Sequence, residues 1–390
     1  MTITNLLING INYSMIKVFQ VITSVSLGGA ENVAFNIIEI VSKLHPGKFD
    51  FTILEVYSSN TVYAIEKKAE LSRKNIRIVT LGPAGKRLSL LFAPLRLWQE
   101  IRSEKPAIVH SHTDLPDLVL GCVLRFFRPK SMRTIRTIHN TEIWPTHYYL
   151  GRFVESSFIE DEIVGVSKAA ISSYHEKRRK YDLQISHSSV IYNGCEAFEK
   201  SEAYFGLDRK FINIAFCGRF VSQKGVDILI DHLKRSDEIV KKKIRFHFIG
   251  DGTYKKELLQ LKSENENIFL YGTVTNVSSK ISEFDYFIMP SRFEGLPLVA
   301  IESSLAKVPV IAARVPGLEE TLPPDWPRFF DLYDNNSLQG ILRAIVNEGP
   351  NERASLGARA YEYAVRKFSL NDMGRKYQAL YCKTNLKVTE

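Results

Sequence analysis

The sequence is poor in cysteine and shows no spacing that marks a redox or zinc site. Its four cysteines, Cys122, Cys195, Cys217 and Cys382, are scattered through 390 residues. None falls in a C-x-x-C pair, so neither a zinc knuckle nor a dithiol motif is present. Scattered thiols fit a reducing cytosol. No apolar run approaches the ~20 residues that span a bilayer. The opening stretch MTITNLLINGINYSM lacks the basic region and apolar core of a secretory signal. Neither G-x-G-x-x-G nor G-x-x-x-x-G-K-[ST] occurs, which counts against a nicotinamide-dependent dehydrogenase and a P-loop nucleotide hydrolase.

What is there is ordinary for a globular protein: 45% hydrophobic and 24% charged residues. The length suggests two or three domains. The formal charge is +9. A basic surface of this size keeps a protein soluble, and it also suits an anionic membrane face, an anionic substrate or nucleic acid. The basic residues are not gathered with aromatics into a stacking platform, and no nucleic-acid recognition module is present, so nucleic acid is not expected as a partner.

Short β-branched runs alternate with helical periods from Met15 onward. IKVFQVIT, FDFTILEVY, IRIVTLG, AIVHSHT, MRTIRTIHN, EIVGVS and SSVIYNG read as strands. The series then restarts with INIAFCGRF, IRFHFIGDG, IFLYG, FDYFIMPS and PVIAAR. Such alternation predicts parallel βαβ units covered on both faces. The aperiodic connector near residues 195–210 divides the series. A first domain is expected over 15–200 and a second over 201–369. The last helix, about 370–390, has the length to pack back onto the first. Residues 1–14 precede the first strand pattern and are expected to be dispensable, as a loose leader or a misassigned start.

Ligands of doubly wound sheets bind at the carboxyl ends of strands. GGAE (28–31) turns the first strand into a helix there. Gly28 and Gly29 permit close backbone approach, and the helix start offers unpaired N–H groups to an anion. Tight strand-to-helix turns commonly use two glycines, so this signal alone does not assign a ligand. GRFVSQKG (218–225) places Arg219 and Lys224 in a loop bent at Gly218 and Gly225, where two cations suit a pyrophosphate. Gly250 opens another turn in GDG (250–252). RFEGLPLVAIES (292–303) frames a helix start with Glu294 and Glu302, with seven residues between them. Glu302 is expected about two turns along that helix, and eight residues of helix span roughly 12 Å. That is the scale of a nucleotide-sugar. Each carboxylate can accept hydrogen bonds from neighbouring hydroxyls.

GGAE, IVHSH, TIHN, VIYNG, GRFVSQKG, FIGDG and SRFEGLPLVAIES, in this order, make the chain resemble the retaining glycosyltransferases of family 4. The resemblance covers nearly the whole chain from Met15. It implies the GT-B fold: two Rossmann-like domains, each a doubly wound parallel sheet, facing across a cleft. It also implies roles. Glu294 contacts the transferred sugar and Glu302 the ribose. Arg219 and Lys224 contact the diphosphate, with Gly218 and Gly250 in the turns beside them. The backbone of Gly295 and Leu296 lies near phosphates or sugar, and Thr273 and Val274 near the base. Gly28 and Gly29 close over the diphosphate. His139, rather than His110 or His112, faces the reacting sugar. No D-x-D metal site is present, so no metal cofactor is expected. The implied reaction transfers a hexose from a UDP- or GDP-sugar to a glycan or lipid-linked glycan, in bacterial surface-polysaccharide synthesis. A nucleotide-sugar epimerase of related fold is the alternative.

Two stretches, KRLSLLFAPLRLWQEIR (86–102) and VLRFFRPKSMRTIR (123–136), mix arginines with large apolar residues. They suit peripheral contact with an anionic membrane, at the cytoplasmic face of the inner membrane. Packing of their apolar faces onto the first sheet is the competing expectation.

Overall fold

A computed structural model describes residues 15–83, 86–144, 147–159, 161–185, 187–196 and 203–383. The expectation for residues 1–14 lies outside them. Two parallel sheets carry the fold. The first is built from β1 (Ile16–Ile22), β2 (Phe49–Glu55), β3 (Arg77–Thr80), β4 (Ile108–His112), β5 (Arg133–Ile138), β6 (Glu162–Gly165) and β7 (Ser188–Val190), in the order β3-β2-β1-β4-β5-β6-β7. The second is built from β8 (Ile212–Cys217), β9 (Ile244–Ile249), β10 (Ile268–Leu270), β11 (Tyr286–Met289), β12 (Val310–Ala313) and β13 (Phe329–Phe330), in the order β10-β9-β8-β11-β12-β13. This is the GT-B architecture.

The central strands are largely buried because helices cover both faces. In β1, Val18, Phe19, Val21 and Ile22 are buried in alternation against opposite sides of the sheet. The helix Gly29–Leu44 buries Val33, Ile37, Val41 and their neighbours on one face. Side chains at helix starts accept hydrogen bonds from orphan N–H groups, as Ser167 does from Ala170 and Ser369 from Asp372.

Each sheet reverses its strand order once, between β1 and β4 and between β8 and β11. At such a point the connections leave in opposite directions and open a crevice beyond the strand ends. The two crevices face each other. The final helices tie the halves together. In the helix Pro350–Lys367, Ala360 packs into the second domain's core, whereas Ala364 packs into the first. The helix Leu370–Cys382 then lies on the helix Gly29–Leu44 and buries Tyr377 and Tyr381 under the first sheet.

A second clasp crosses the cleft. The carboxylate of Glu320 accepts from the backbone N–H groups of Lys168 (3.1 Å) and Ala169 (2.7 Å), at the start of the helix Lys168–Lys180. The Tyr192 hydroxyl donates to the same carboxylate at 2.8 Å.

Candidate active site

The second domain supplies the charged side. After β8, residues Ser222–Lys224 make a single 3-10 turn that ends at Gly225. Gly225 has φ +67°, and a Cβ there would lie 1.7 Å from the Pro290 carbonyl oxygen, so only glycine fits. This contact presses the loop after β8 onto the loop after β11. Arg292 fastens the same two loops. Its guanidinium donates to both Asp227 carboxylate oxygens at 2.7 Å and to the Ser222 carbonyl at 2.6 Å.

Lys224 therefore reaches Glu294, with Nζ 2.6 Å from Oε1. The Ser291 hydroxyl donates to the same oxygen at 2.7 Å. Both protein contacts fall on Oε1. Arg219 donates to Gln223 at 3.2 Å, and its charge acts on the Glu31 carboxyl. Gly250 sits beside this loop: its N–H donates to the Gly272 carbonyl at 2.7 Å, and a Cβ on it would meet the Gly218 carbonyl at 2.0 Å. The turn carrying Thr273 and Val274 follows directly. Thr273 is exposed and Val274 half-buried.

Pro297 is extended (φ −70°, ψ 118°), so the helix runs only over Leu298–Leu305. Glu302 thus stands at the start of its second turn, nearer than the two turns expected from the sequence. Residues 295–297 stay out of the helix because they pack on the first domain. Burial pushes the Glu302 carboxyl up to about 7, opposed by a hydrogen bond from Ser278.

The first domain supplies three imidazoles and, at the Gly28 turn, the Glu31 carboxyl. His139, after β5, is half-buried, and its Nε2 lies 3.0 Å from Nδ1 of His112 at the end of β4. Burial drives the His139 and His110 imidazoles down to about 3, and His112 well below its ordinary value, with the neighbouring histidines adding to the effect on His110 and His112. All three are neutral at physiological pH. Gly28 precedes the helix Gly29–Leu44 in an extended conformation. The Glu31 carboxylate folds back over it, into the space a Cβ on Gly28 would take. Burial raises the Glu31 carboxyl, and its own backbone N–H and Arg219 hold it down.

The two sides meet at Gly295. A Cβ on Gly295 would lie 2.0 Å from the His139 carbonyl oxygen. Beside it the Thr141 hydroxyl donates to the Glu294 carbonyl at 3.2 Å, and the Asn193 amide to the Leu296 carbonyl at 3.4 Å. The structure thus brings His139, Gly295, Glu294 and Lys224 into one cluster, with the Arg219 charge acting on Glu31 beside Gly28. Thr273 and Val274 follow Gly272, whose carbonyl accepts from the Gly250 N–H.

Sequence reasoning passed over several contributors. Ser291 and Arg292 lie inside a quoted motif, but nothing in a lone serine or arginine announced the partner. Glu55 is wholly buried at the end of β2 and accepts from the Val25 backbone N–H at 3.0 Å, which anchors the loop leading to Gly28.

Comparison with known proteins agrees with the two-sheet fold. Residues 27–197 match the family model for Glycosyltransferase Family 4, and residues 212–346 the model for Glycosyl transferases group 1. An uncharacterized glycosyltransferase of Methanocaldococcus jannaschii is 33% identical over 282 residues, covering 69% of this chain and 73% of that protein. The capsular polysaccharide biosynthesis glycosyltransferase CapM of Staphylococcus aureus is 25% identical over 347 residues, covering 82% and 89%. In three dimensions the chain resembles Anabaena HepE, solved in complex with UDP and glucose, with a TM-score of 0.74 at 17% identity over 94% of this chain and 99% of that one. The chain belongs to glycosyltransferase family 4.

Proposed function

We propose that the protein transfers a hexose-type sugar, with retention, from a UDP- or GDP-sugar to a glycan or lipid-linked glycan in cell-surface polysaccharide synthesis. One observation carries the reading: Gly295 joins the Lys224–Glu294 pair to His139 across the cleft. A sugar held by Glu294 would therefore face His139 at once. Glu302 holds the ribose hydroxyls. Arg219, Lys224 and the N–H groups near Gly28, Gly29 and Gly295 hold the diphosphate. Thr273 and Val274 lie against the base.

Charge builds on the departing diphosphate as the glycosidic bond breaks, and the two fixed cations stabilise it there. The acceptor oxygen bonds to the anomeric carbon on the face the diphosphate leaves. Its proton passes to a departing phosphate oxygen, so no side-chain base is needed. No metal is needed either. The capsular name of CapM and the UDP and glucose bound by HepE support the polysaccharide setting and the donor class.

A thermal-shift screen of nucleotide-sugars tests the donor, since a ligand of the folded state raises its apparent stability. Incubating the stabilising donor with and without glycan acceptors tests the reaction. Acceptor-dependent release of the nucleoside diphosphate is expected. Free sugar released equally without acceptor would instead indicate the epimerase.

A membrane-facing role has its own observation. The helix Lys86–Glu104 buries Ala93, Leu97 and Ile101, yet Leu88, Leu91, Phe92 and Leu95 form a second, exposed stripe at helical spacing. Leu91 is 74% exposed and Phe126, on the adjoining helix Asp114–Phe126, 89%. Exposed Arg125 and Lys130 flank that end. We read this face as docking on an anionic bilayer at the cytoplasmic face of the inner membrane. Co-sedimentation with anionic liposomes should weaken with salt and with Leu91→Ser plus Phe92→Ser. Binding absent at low salt would remove the reading. Among the described residues no helix is long and apolar enough to cross a membrane.

A further inference from the structure

Beneath the first domain's side of the cleft runs one unbroken chain of side-chain hydrogen bonds. It begins at His139, whose Nε2 meets His112 Nδ1 at 3.0 Å. His112 Nε2 meets the Gln20 carbonyl oxygen at 2.8 Å, and the Gln20 amide nitrogen meets the Tyr381 hydroxyl at 2.7 Å. That hydroxyl meets His110 Nδ1 at 2.8 Å, and His110 Nε2 meets the Thr137 hydroxyl at 2.7 Å. Thr137 ends the chain against Tyr377 at 3.2 Å. Every member except His139 is buried to 2% exposure or less.

A neutral imidazole has one donor and one acceptor, so each link constrains the next. The Gln20 carbonyl faces His112, so His112 donates from Nε2. Its Nδ1 is then an acceptor, and His139 donates to it from Nε2. His139 is left with a bare Nδ1 and no protein partner for it among the described residues. On the other side the Gln20 amide donates to Tyr381, Tyr381 to His110, and His110 to Thr137. All protons point away from the cleft. Turning over the Gln20 amide would reverse every link and place a proton on His139 Nδ1. The orientation of one amide therefore decides which form of His139 the substrate meets. Tyr381, on the last helix and 361 positions along the chain, is the second side-chain partner of that amide.

We propose that Gln20 and Tyr381 are positioning residues that lock His139 in its Nε2–H tautomer, so that bare Nδ1 accepts a hydrogen bond from a hydroxyl of the transferred sugar. The hydroxyl partner rests on the transferase reading above; the lock does not.

The test uses the full chain labelled with 15N in its nine histidines. Long-range 1H–15N correlation distinguishes protonated from bare ring nitrogens, and His139→Ala identifies the His139 signals. In the wild type His139 should show a bare Nδ1 and a protonated Nε2. Tyr381→Phe removes one hydroxyl, and Gln20→Met removes both of Gln20's links with little change of volume. In each, the His139 nitrogens should shift toward an average of the two tautomers. The kcat/KM for the donor should fall about tenfold, the size of one lost buried hydrogen bond. Affinity for the free nucleoside diphosphate, which carries no sugar, should not change. A wild-type His139 protonated on Nδ1, or unmoved nitrogens in both variants of an active enzyme, would overturn the lock. A wild type that turns over no nucleotide-sugar would overturn the transferase reading and the hydroxyl partner, while the nitrogen shifts still decide the lock.

Discussion

The two halves of the cleft treat charge in opposite ways. The second domain brings Arg219, Lys224 and Glu294 to the strand ends and carries Glu302 on the helix after β11. The first domain presents neutral histidines at its own strand ends and keeps its strongest ion pairs inside. Arg136, fully buried on β5, donates to both carboxylate oxygens of Glu155 at 2.9 Å and to Asp117 at 2.8 Å. The indole of Trp144 donates to Glu155 at 3.1 Å, which fixes the loop after His139 onto the same cluster. The contrast fits the division of labour proposed above. A diphosphate calls for reachable cations. A sugar presents neutral hydroxyls, which directional neutral groups bind without the cost of stripping water from an ion.

The sharpest way to break this contrast is to remove charge from the first half. Arg136→Met leaves Asp117 buried without its counter-charge and Glu155 with only Arg178, 3.7 Å away. Breaking such a pair costs about 3–5 kcal/mol. Denaturant unfolding should show a loss of that size, with the affinity of the folded fraction for nucleoside diphosphate unchanged. Nucleotide affinity lost in proportion would mean that the inner ion cluster serves the ligand.

The same contrast explains what was legible in the sequence. Strand and helix alternation follows from side-chain periodicity, so the first sheet and five strands of the second can be read directly; β13, two residues long, is too short to carry a pattern. The charged half also reads locally: Lys224 and Glu294 belong to two short stretches whose adjacency follows from neighbouring strands β8 and β11. The histidine half does not. Its partners are ordinary core residue types, and Gln20 with Tyr381, or Glu320 with Ala169, meet only once the whole chain has folded. The outward stripe on Lys86–Glu104 was half legible, because apolar residues at both faces of one helix give no single period. The shift of Glu302 to the second helical turn depended on the packing of Gly295 on His139, which no local pattern carries.

Within the charged half, Glu294→Ala should have the largest effect on turnover. Misplacing a sugar by about an ångström can cost on the order of a hundredfold. Free nucleoside diphosphate lacks that sugar, and Lys224 loses its internal partner in the variant. Calorimetry should therefore show nucleoside diphosphate affinity equal to or above wild type. Affinity that falls along with turnover would assign Glu294 to the nucleotide instead.

Glu302→Ala should weaken donor and nucleoside diphosphate alike, by about ten- to a hundredfold, as expected for hydrogen bonds to a charged acceptor. Its pH dependence sharpens the point. The folded empty chain keeps a proton on Glu302 up to about pH 7, above the ordinary carboxylate range. In that window the folded state binds more protons than the unfolded, so this group's contribution to stability falls as pH rises through it. Ribose binding favours the ionised form. Nucleoside diphosphate affinity should thus rise with pH, by up to about tenfold per unit below 7, and then level off. The phosphates titrate nearby, so the difference between wild type and Glu302→Gln isolates the carboxylate. Parallel curves for the two proteins would remove Glu302 from the ribose site.

The smallest expected effect is that of a chelator. If Arg219 and Lys224 carry the charge of the departing diphosphate, a divalent ion adds little. The carboxylates nearest the diphosphate are poorly placed to bind one: Glu294 Oε1 already holds Lys224 and Ser291, and Glu302 retains its proton to about pH 7. Among the described residues no group of three His, Cys, Asp or Glu side chains is placed to hold a metal. Excess EDTA should leave wild-type turnover within about twofold, well short of the 10²–10³ that one lost charge-stabilising contact can cost. Lys224→Ala offers the complementary measurement. With one cation removed, magnesium bound directly to the diphosphate should recover part of the lost turnover in the variant, while leaving the wild type indifferent. Complete loss of wild-type activity in EDTA, restored by magnesium or manganese, would show that the charged half of the cleft is incomplete without an ion and that Arg219 and Lys224 do not suffice.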